Sequence, residues 1–397
     1  MHCLWITLAD PEPRHNGQFV YSGGLIDSLA EAGAEIDVLG LARGNGAAHN
    51  GNGQHNERVH WWLAPHRPRS QWASLASTLP NIADRCHTAD MSKLLAKLLA
   101  HGSWSSIVFD GLSAGWALAP TLAALSGSRG RPMLVYVSHN HEETLRAQIA
   151  HNYAPSLKRY AMRLEARKTA WLEHNVVDAV DLVTAITPED GALYRARRPD
   201  KRIEVLTPGY QGRQVAGRRI TADVPRRAVI VGSFDWIAKR MNLEEFVRAA
   251  DPLFAAAGAE LRVVGSGEPA FLERLRKTVS ATSFTGTVDC VTPHLDEARV
   301  AIVPERSGGG FKLKVLDYVF NRMPILALDG SIAGVPLARD DSVIVYPDHQ
   351  ALARGALAAM DDLPLLNRVQ ERAYAACRTA FDWTARGRRL MSAMAAS

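Results

Sequence analysis

Cysteine is sparse in this chain and forms no local pattern. Cys3, Cys86, Cys290 and Cys377 are its four cysteines in 397 residues, and no two of them stand in a CxxC spacing. This argues against a cysteine zinc motif and a disulfide-framed fold, and it fits a reducing, cytoplasmic setting. No apolar run approaches the roughly 18 residues that span a bilayer. No basic stretch precedes the apolar start, so no signal peptide is expected. Excess charge is also lacking: the formal net charge is +5, with 22% charged and 47% hydrophobic residues. Those are ordinary globular values, and the length suggests two or three domains. The excess is uneven, because arginines crowd 195–227. They read as a basic patch suited to an anionic partner, or as a solvated linker.

What is present is a repeated strand–loop–helix grammar. Leu4–Leu8 reads as a strand, followed by a breaker-rich loop ending at Gly17 and a helix from about Gln18 to Ala32. Gly33 closes that helix, and Ile36–Leu39 is the next strand. Further strands are expected at Ile107–Phe109, Met133–Val137, Leu182–Ile186 and Ile203–Leu206. Thr187-Pro188-Glu189-Asp190 is a helix start: a capping hydroxyl, a first-turn proline, then acids. The grammar returns from Ala228, with Lys239 and Arg240 placed in a polar loop before a helix Leu243–Ala257. Helical material is expected from about Gln350 to Ala395, interrupted near Phe381-Asp382-Trp383. Two α/β halves of similar size predict a ligand cleft between them.

Gly44–Asn56 reads as a mobile loop, and His49, His55 and His60 as exposed loop histidines without metal-ligand spacing. Trp61, Trp62 and Trp72 stand beside basic residues; packing against a helix and a membrane interface both fit them. A long helix from Ser156 to about Val177 is basic on one side through Lys158, Arg159, Arg163, Arg167 and Lys168.

The stretch Val303–Pro324, VPERSGGGFKLKVLDYVFNRMP, carries the strongest chemical signal. A strand runs into Gly308-Gly309-Gly310 and then into a helix with Leu313, Leu316 and Phe320 on one face. Glycines admit close approach of a ligand, and unpaired N–H groups at a helix start favour phosphate. Lys312 and Lys314 place positive charge where the helix dipole disfavours it, which an anionic ligand would explain. Lys314 and Asp317 also fit a surface i,i+3 ion pair. The stretch is neither a Walker loop nor a Gly-x-Gly-x-x-Gly turn. His139, following the strand Met133–Val137, is a second candidate, since carboxyl ends of parallel strands face the ligand crevice. A satisfied buried histidine is the competing reading.

Taken together, these residues resemble the retaining GT-B glycosyltransferases of family four, the group 1 glycosyl transferases, over nearly the whole chain. The likeness rests on the loop ending at Gly17, Tyr136-Val137-Ser138-His139-Asn140 with the later Asp181–Asp190, Val231–Trp236, Val303–Pro324, and FDWTARGRRL at Phe381–Leu390. It implies an α/β GT-B fold: two Rossmann-like domains facing each other across a cleft, with a C-terminal helix crossing back to the first domain. The expected boundaries are 1–210 for the acceptor-side domain, 211–380 for the nucleotide-sugar domain and 381–397 for the returning helix.

The resemblance also implies roles. Asp317 stands where an acid binds the ribose hydroxyls, Asp here replacing the usual Glu. Ser307, Gly308, Gly309, Gly310 and Phe311 form the loop at the diphosphate, with Lys312 and Lys314 beside it. His139 matches the histidine beside the transferring sugar, and Gly17 the loop near the phosphate. Ser233, Lys239 and Arg240 lie where basic residues meet the diphosphate. Gly309 occupies the position of the family's first Glu, so donor choice is the departure.

The expected enzyme moves a sugar from a nucleoside-diphosphate-sugar co-substrate to an acceptor hydroxyl, with retention, in polysaccharide or glycoconjugate synthesis. It needs no metal and no cofactor. The acceptor is a glycan, a lipid-linked glycan or another hydroxyl compound, and no nucleic acid is expected. The location is cytoplasmic, and peripheral contact with the inner membrane face is compatible with it. A sugar-nucleotide epimerase of the same fold and a non-catalytic nucleotide- or glycan-binding protein are the alternatives.

Overall fold

A computed structural model describes residues 1–14, 16–43, 56–66, 77–126, 130–152, 156–306 and 310–396. The expectations for 44–55, Trp72, Ser307, Gly308 and Gly309 fall outside the described residues. The chain divides into two compact units. One comprises Met1–Gly209, Gly309–Phe311 and Asp382–Ser397, and the other Tyr210–Gly308 and Lys312–Phe381.

In the first unit, β1 (His2–Ala9), β2 (Glu35–Leu41), β3 (Val59–Ala64), β4 (Ser106–Asp110), β5 (Met133–Val137), β6 (Leu182–Ala185) and β7 (Arg202–Val205) form a parallel sheet. Its order is β3-β2-β1-β4-β5-β6-β7. The helices are α1 (Gly17–Glu31), α2 (Asn81–Asp84), α3 (Ala89–His101), α4 (Leu118–Leu125), α5 (Glu142–Asn152), α6 (Leu157–Ala179), α7 (Pro188–Arg197) and, from the end of the chain, α14 (Trp383–Ala395). Helices cover both sheet faces, so the central strands read as near-continuous apolar runs: β4 is buried throughout. α1 starts as read, with Asn16 capping the amide of Phe19, and Thr187 caps α7 by accepting from the amide of Asp190.

α14 docks on α1 through its buried Trp383, Leu390 and Met394, and glycines let the two helices approach closely. A methyl group on Gly24 or Gly209 would strike the Trp383 ring, and one on Gly387 would strike the Ser28 carbonyl. Arg386 donates to Thr207, and Arg389 pairs with Glu204 at 2.8 Å.

In the second unit, β8 (Arg227–Val231), β9 (Glu260–Val264), β10 (Thr282–Phe284), β11 (Val300–Val303), β12 (Ile325–Leu328) and β13 (Ile344–Tyr346) form a parallel sheet ordered β10-β9-β8-β11-β12-β13. Its helices are α8 (Ile237–Ala256), α9 (Pro269–Arg276), α10 (Thr292–Asp296), α11 (Leu313–Phe320), α12 (His349–Asp361) and α13 (Leu363–Cys377). Both sheets change direction once, between β1 and β4 and between β8 and β11. Loops following those strands therefore border the crevice where such sheets bind ligands.

Several readings of the sequence change. Lys239 and Arg240 lie in the first turn of α8, not in a loop. His60, read as a loop residue, lies exposed on edge strand β3 with Trp61 and Trp62; the Trp62 indole donates to Asp37 at 2.5 Å and its ring packs under Lys97 of α3, the helix packing the sequence allowed. An unforeseen helix, α5, precedes α6. The closing helical stretch also breaks at Asp362, which caps α13. Several arginines of 195–227 are tied down individually rather than forming a solvated patch. Arg198 pairs with Asp178 and Asp200, Arg218 binds the carbonyls of Leu295, Asp296 and Ala298, and buried Arg227 pairs with Glu260 and Glu297.

Candidate active site

The first unit places a histidine–aspartate pair at the carboxyl ends of neighbouring strands. Asp110 ends β4 and is fully buried; His139 follows β5, and its Nε2 lies 2.6 Å from Asp110 Oδ1. The other carboxylate oxygen accepts from the Trp5 indole at 3.0 Å and the Thr7 hydroxyl at 2.8 Å. Burial works to raise the Asp110 carboxyl, but His139 and these donors outweigh it and hold it below its usual range. Tyr21 meets the His139 ring edge-on, with centroids 5.3 Å apart, and anchors its hydroxyl on the Leu206 carbonyl at 2.7 Å. The imidazole is thus fixed by one carboxylate and one aromatic wall.

Behind it, Glu173 of α6 accepts from the amides of Glu142 and Glu143 and from the Tyr194 hydroxyl, at 3.0, 2.8 and 2.6 Å. Burial pushes its carboxyl up to about 7 despite those donors. Ser138 bonds both the Asn140 carbonyl and Tyr194 at 2.7 Å, so the turn carrying His139 is braced from below. Gly17 is exposed at the start of α1. Gly310 belongs to this unit with φ +73°, and a Cβ there would strike Asn140 and come within 2.9 Å of the His139 carbonyl. Phe311 packs partly on the same unit's apolar core.

The second unit gathers positive charge where β8 and β11 end. Buried Glu305 pairs with Lys314 of α11. The turn is pinned on both sides, by His349 against the Pro304 carbonyl at 2.8 Å and by Asn242 accepting from the Arg306 amide at 3.0 Å. Burial works to raise Glu305, but Lys314 and Lys312 prevail and lower it. Lys239 keeps an exposed surface, yet protein atoms around its ammonium strip away water. That desolvation, then the like charge of Lys314, lowers its pKa. Lys239, Lys312 and Lys314 stand against the two carboxylates Glu305 and Asp235, which leaves one net positive charge for an anion.

Arg240 takes another direction. Consecutive helical residues point about 100° apart, and Arg240 pairs with Glu268 and lies over the Phe271 ring. Ser233 donates to Asp235 at 2.6 Å in the turn after β8. Asp317 of α11 accepts from the Tyr210 hydroxyl at 3.1 Å, and burial pushes its carboxyl up to about 6. The second unit therefore brings Lys239, Lys312, Lys314 and Asp317 to one strand–loop–helix junction and its neighbour α8, and turns Arg240 away. Sequence reasoning passed over Asp110, Tyr210 and Glu305 as functional side chains. The usable signal for Asp110 was an acid ending a strand next to the one that carries His139.

Two doubly wound parallel sheets with this strand order define the GT-B class. The family described as "Glycosyl transferase 4-like domain" matches residues 16–209, and "Glycosyl transferases group 1" matches 225–362. The chain belongs to the group 1 glycosyltransferases and is a glycosyltransferase enzyme. Sucrose-phosphate synthase from Thermosynechococcus elongatus is similar in structure at TM-score 0.75 and 17% identity, covering all of both chains. Anabaena HepE in complex with UDP and glucose gives 0.67 and 11%, again over all of both chains. WaaG, a glycosyltransferase involved in lipopolysaccharide biosynthesis, gives 0.67 and 16% with the same coverage. A search of curated proteins finds no match.

Proposed function

We propose that this enzyme transfers a sugar from a nucleoside-diphosphate-sugar donor to an acceptor hydroxyl, with retention, in polysaccharide or glycoconjugate synthesis. The observation that carries the donor assignment is the convergence of Lys239 and Lys314 at the end of β11. Departure of a nucleoside diphosphate builds negative charge, and fixed positive groups there stabilise the transition state. Asp317 takes the ribose hydroxyls, Lys239 and Lys314 the diphosphate, and His139, oriented by Asp110, the transferring sugar. HepE, whose structure contains UDP and glucose, lends support to a UDP-linked donor. The acceptor is a glycan, lipid-linked or free, and the reading requires no cofactor. Cytoplasmic location is part of it, supported by four unpaired cysteines.

The test is a thermal-shift panel of UDP-, GDP-, ADP- and dTDP-sugars, followed by transfer assays with the stabilising donor. A true donor raises the melting temperature with concentration by mass action, and Lys314→Met abolishes the shift. Stabilisation by none of the four overturns the reading. Release of free monosaccharide without an acceptor indicates the epimerase instead. Anomeric analysis of the product tests retention.

A further inference from the structure

Helix α6 carries an exposed apolar stripe that no part of the proposed chemistry uses. Leu157 is 88% exposed, Tyr160 70%, Trp171 57% and Leu164 44%. At 100° per residue these four positions fall within about 60° of one another, and at 1.5 Å rise they extend over about 21 Å. Leu157, Tyr160 and Leu164 fill successive turns and Trp171 stands two turns further along the same face, so they are aligned and not scattered surface residues, which would need no explanation. The opposite side of the helix is the ordinary one: Thr169, Leu172, Glu173, Val176 and Val177 are buried.

Charge identifies what the strip faces. Arg163 and Arg167 are exposed along one edge, and exposed Lys158 lies in the first turn. Glu165, the acid of this half of the helix, turns inward to the amide of Asn81. Leucine, tyrosine and tryptophan bordered by arginine and lysine form the pattern of a helix lying in a lipid interface, its rings at headgroup depth and its cations on anionic phosphates. A second copy of this chain fits less well, because it would bring the same arginines to the same strip. Among the described residues no helix is long and apolar enough to cross a membrane, so contact would be along the surface.

We propose that the exposed face of α6 docks the enzyme on an anionic lipid bilayer. The same helix supplies Glu173 and buries Leu172 against Gly115, near the turn that carries His139. Docking through α6 would therefore hold the first unit at a surface from which lipid-borne acceptors can be drawn.

The experiment is co-sedimentation of the full chain with vesicles of mixed phosphatidylglycerol and phosphatidylcholine, against phosphatidylcholine alone. Binding is expected to the anionic vesicles, weakening as salt rises. Tyr160→Glu/Trp171→Glu should reduce partitioning by about tenfold or more, and Arg163→Glu/Arg167→Glu should do likewise, since each cation near such a surface adds to the attraction. Melting temperatures of these exposed-site variants report that the fold is kept. The proposal is overturned if the parent chain ignores anionic vesicles at low salt, or if both double variants bind as it does. It is equally overturned if the chain is a dimer in solution that Tyr160→Glu/Trp171→Glu converts to monomer.

Discussion

The Tyr210 hydroxyl lies 3.1 Å from Oδ1 of Asp317 and, at the same distance, from the carbonyl of Arg213. One hydrogen cannot serve both acceptors at once. With Asp317 ionised, the hydrogen goes to the carboxylate. With Asp317 protonated, the carboxyl donates to the Tyr210 oxygen and frees its hydrogen for Arg213. Tyr210 also stacks on Phe320 at 4.4 Å, so its ring stays in place in either state. Both arrangements are satisfied, and the choice between them follows the proton on Asp317.

Ribose hydroxyls are better held by the ionised carboxylate. Donor affinity should therefore rise as pH climbs through about 6 and level off above it. Titration calorimetry with a nucleoside-diphosphate sugar, whose diphosphate diester keeps constant charge over this range, checks the profile. Tyr210→Phe removes a hydrogen bond to the charged form, moves the midpoint upward by about one unit and weakens binding at pH 7 by about twofold. A flat profile in the parent enzyme would sink the ribose assignment.

Two carboxylates near the end of β11 should act oppositely on stability. Asp317 is raised from 3.8 to about 6, so its favourable contribution is complete below 3.8 and lost as pH rises through about 6. At neutral pH its charge costs about 3 kcal/mol at most, and Asp317→Asn should raise the melting temperature while abolishing donor binding. Glu305 is lowered from 4.5, so its contribution is present above pH 4.5 and lost as pH falls through its lower folded value. Glu305→Gln should destabilise by about 3 kcal/mol, because Lys314 is left buried without its partner. The same change should tighten diphosphate binding, since the lysines are no longer offset. Chemical denaturation and nucleotide titration, run side by side, separate these signs.

The sequence shows elements more readily than it shows which side chains meet. Thr187-Pro188 was readable because capping is local chemistry, settled within one turn. Strand β3 was not: its tryptophans stand among basic residues and fit helix packing and a membrane interface alike, until Asp37 of β2 and Lys97 of α3 supply the partners of Trp62. Lys239 and Arg240 looked like a pair because they are adjacent, and a helix separates adjacent residues. Asp110 could be placed beside His139 only through the strand order β1-β4-β5, which no local pattern records. The role of Asp317 came from the family resemblance, and the i,i+3 pair with Lys314 that its helix suggested does not form: Lys314 pairs with Glu305, and Asp317 meets Tyr210, more than a hundred residues earlier, which carries no mark of it.

The Asp110–His139 pair should act on turnover more than on folding. Asp110→Asn keeps the shape but loses the charge-assisted bond, a loss of about 1.5–3 kcal/mol. If His139 orients the transferring sugar, kcat falls by about 10- to 100-fold while the donor Kd, set in the second unit, stays within a factor of about two. His139→Gln should be similarly slow, and adding Asp110→Asn to it should lower kcat little further. A fully additive double variant would show that Asp110 acts independently of the histidine.

Docking of α14 depends on buried side chains and on glycine contacts that leave no room for a Cβ. Gly387 meets the Ser28 carbonyl of α1 so closely that any Cβ must move the helix. Gly387→Ala should therefore destabilise by about 1–3 kcal/mol although alanine is the better helix former. Trp383 is 6% exposed between Gly24 and Gly209, and Trp383→Ala leaves a void costing about 3–5 kcal/mol. Hydrogen exchange separates local from global effects: amides of α14 and α1 should lose protection first, while those of β8 and β11 keep theirs. Equal loss throughout both units would show that the returning helix is part of one cooperative fold and not a closure of the first unit alone.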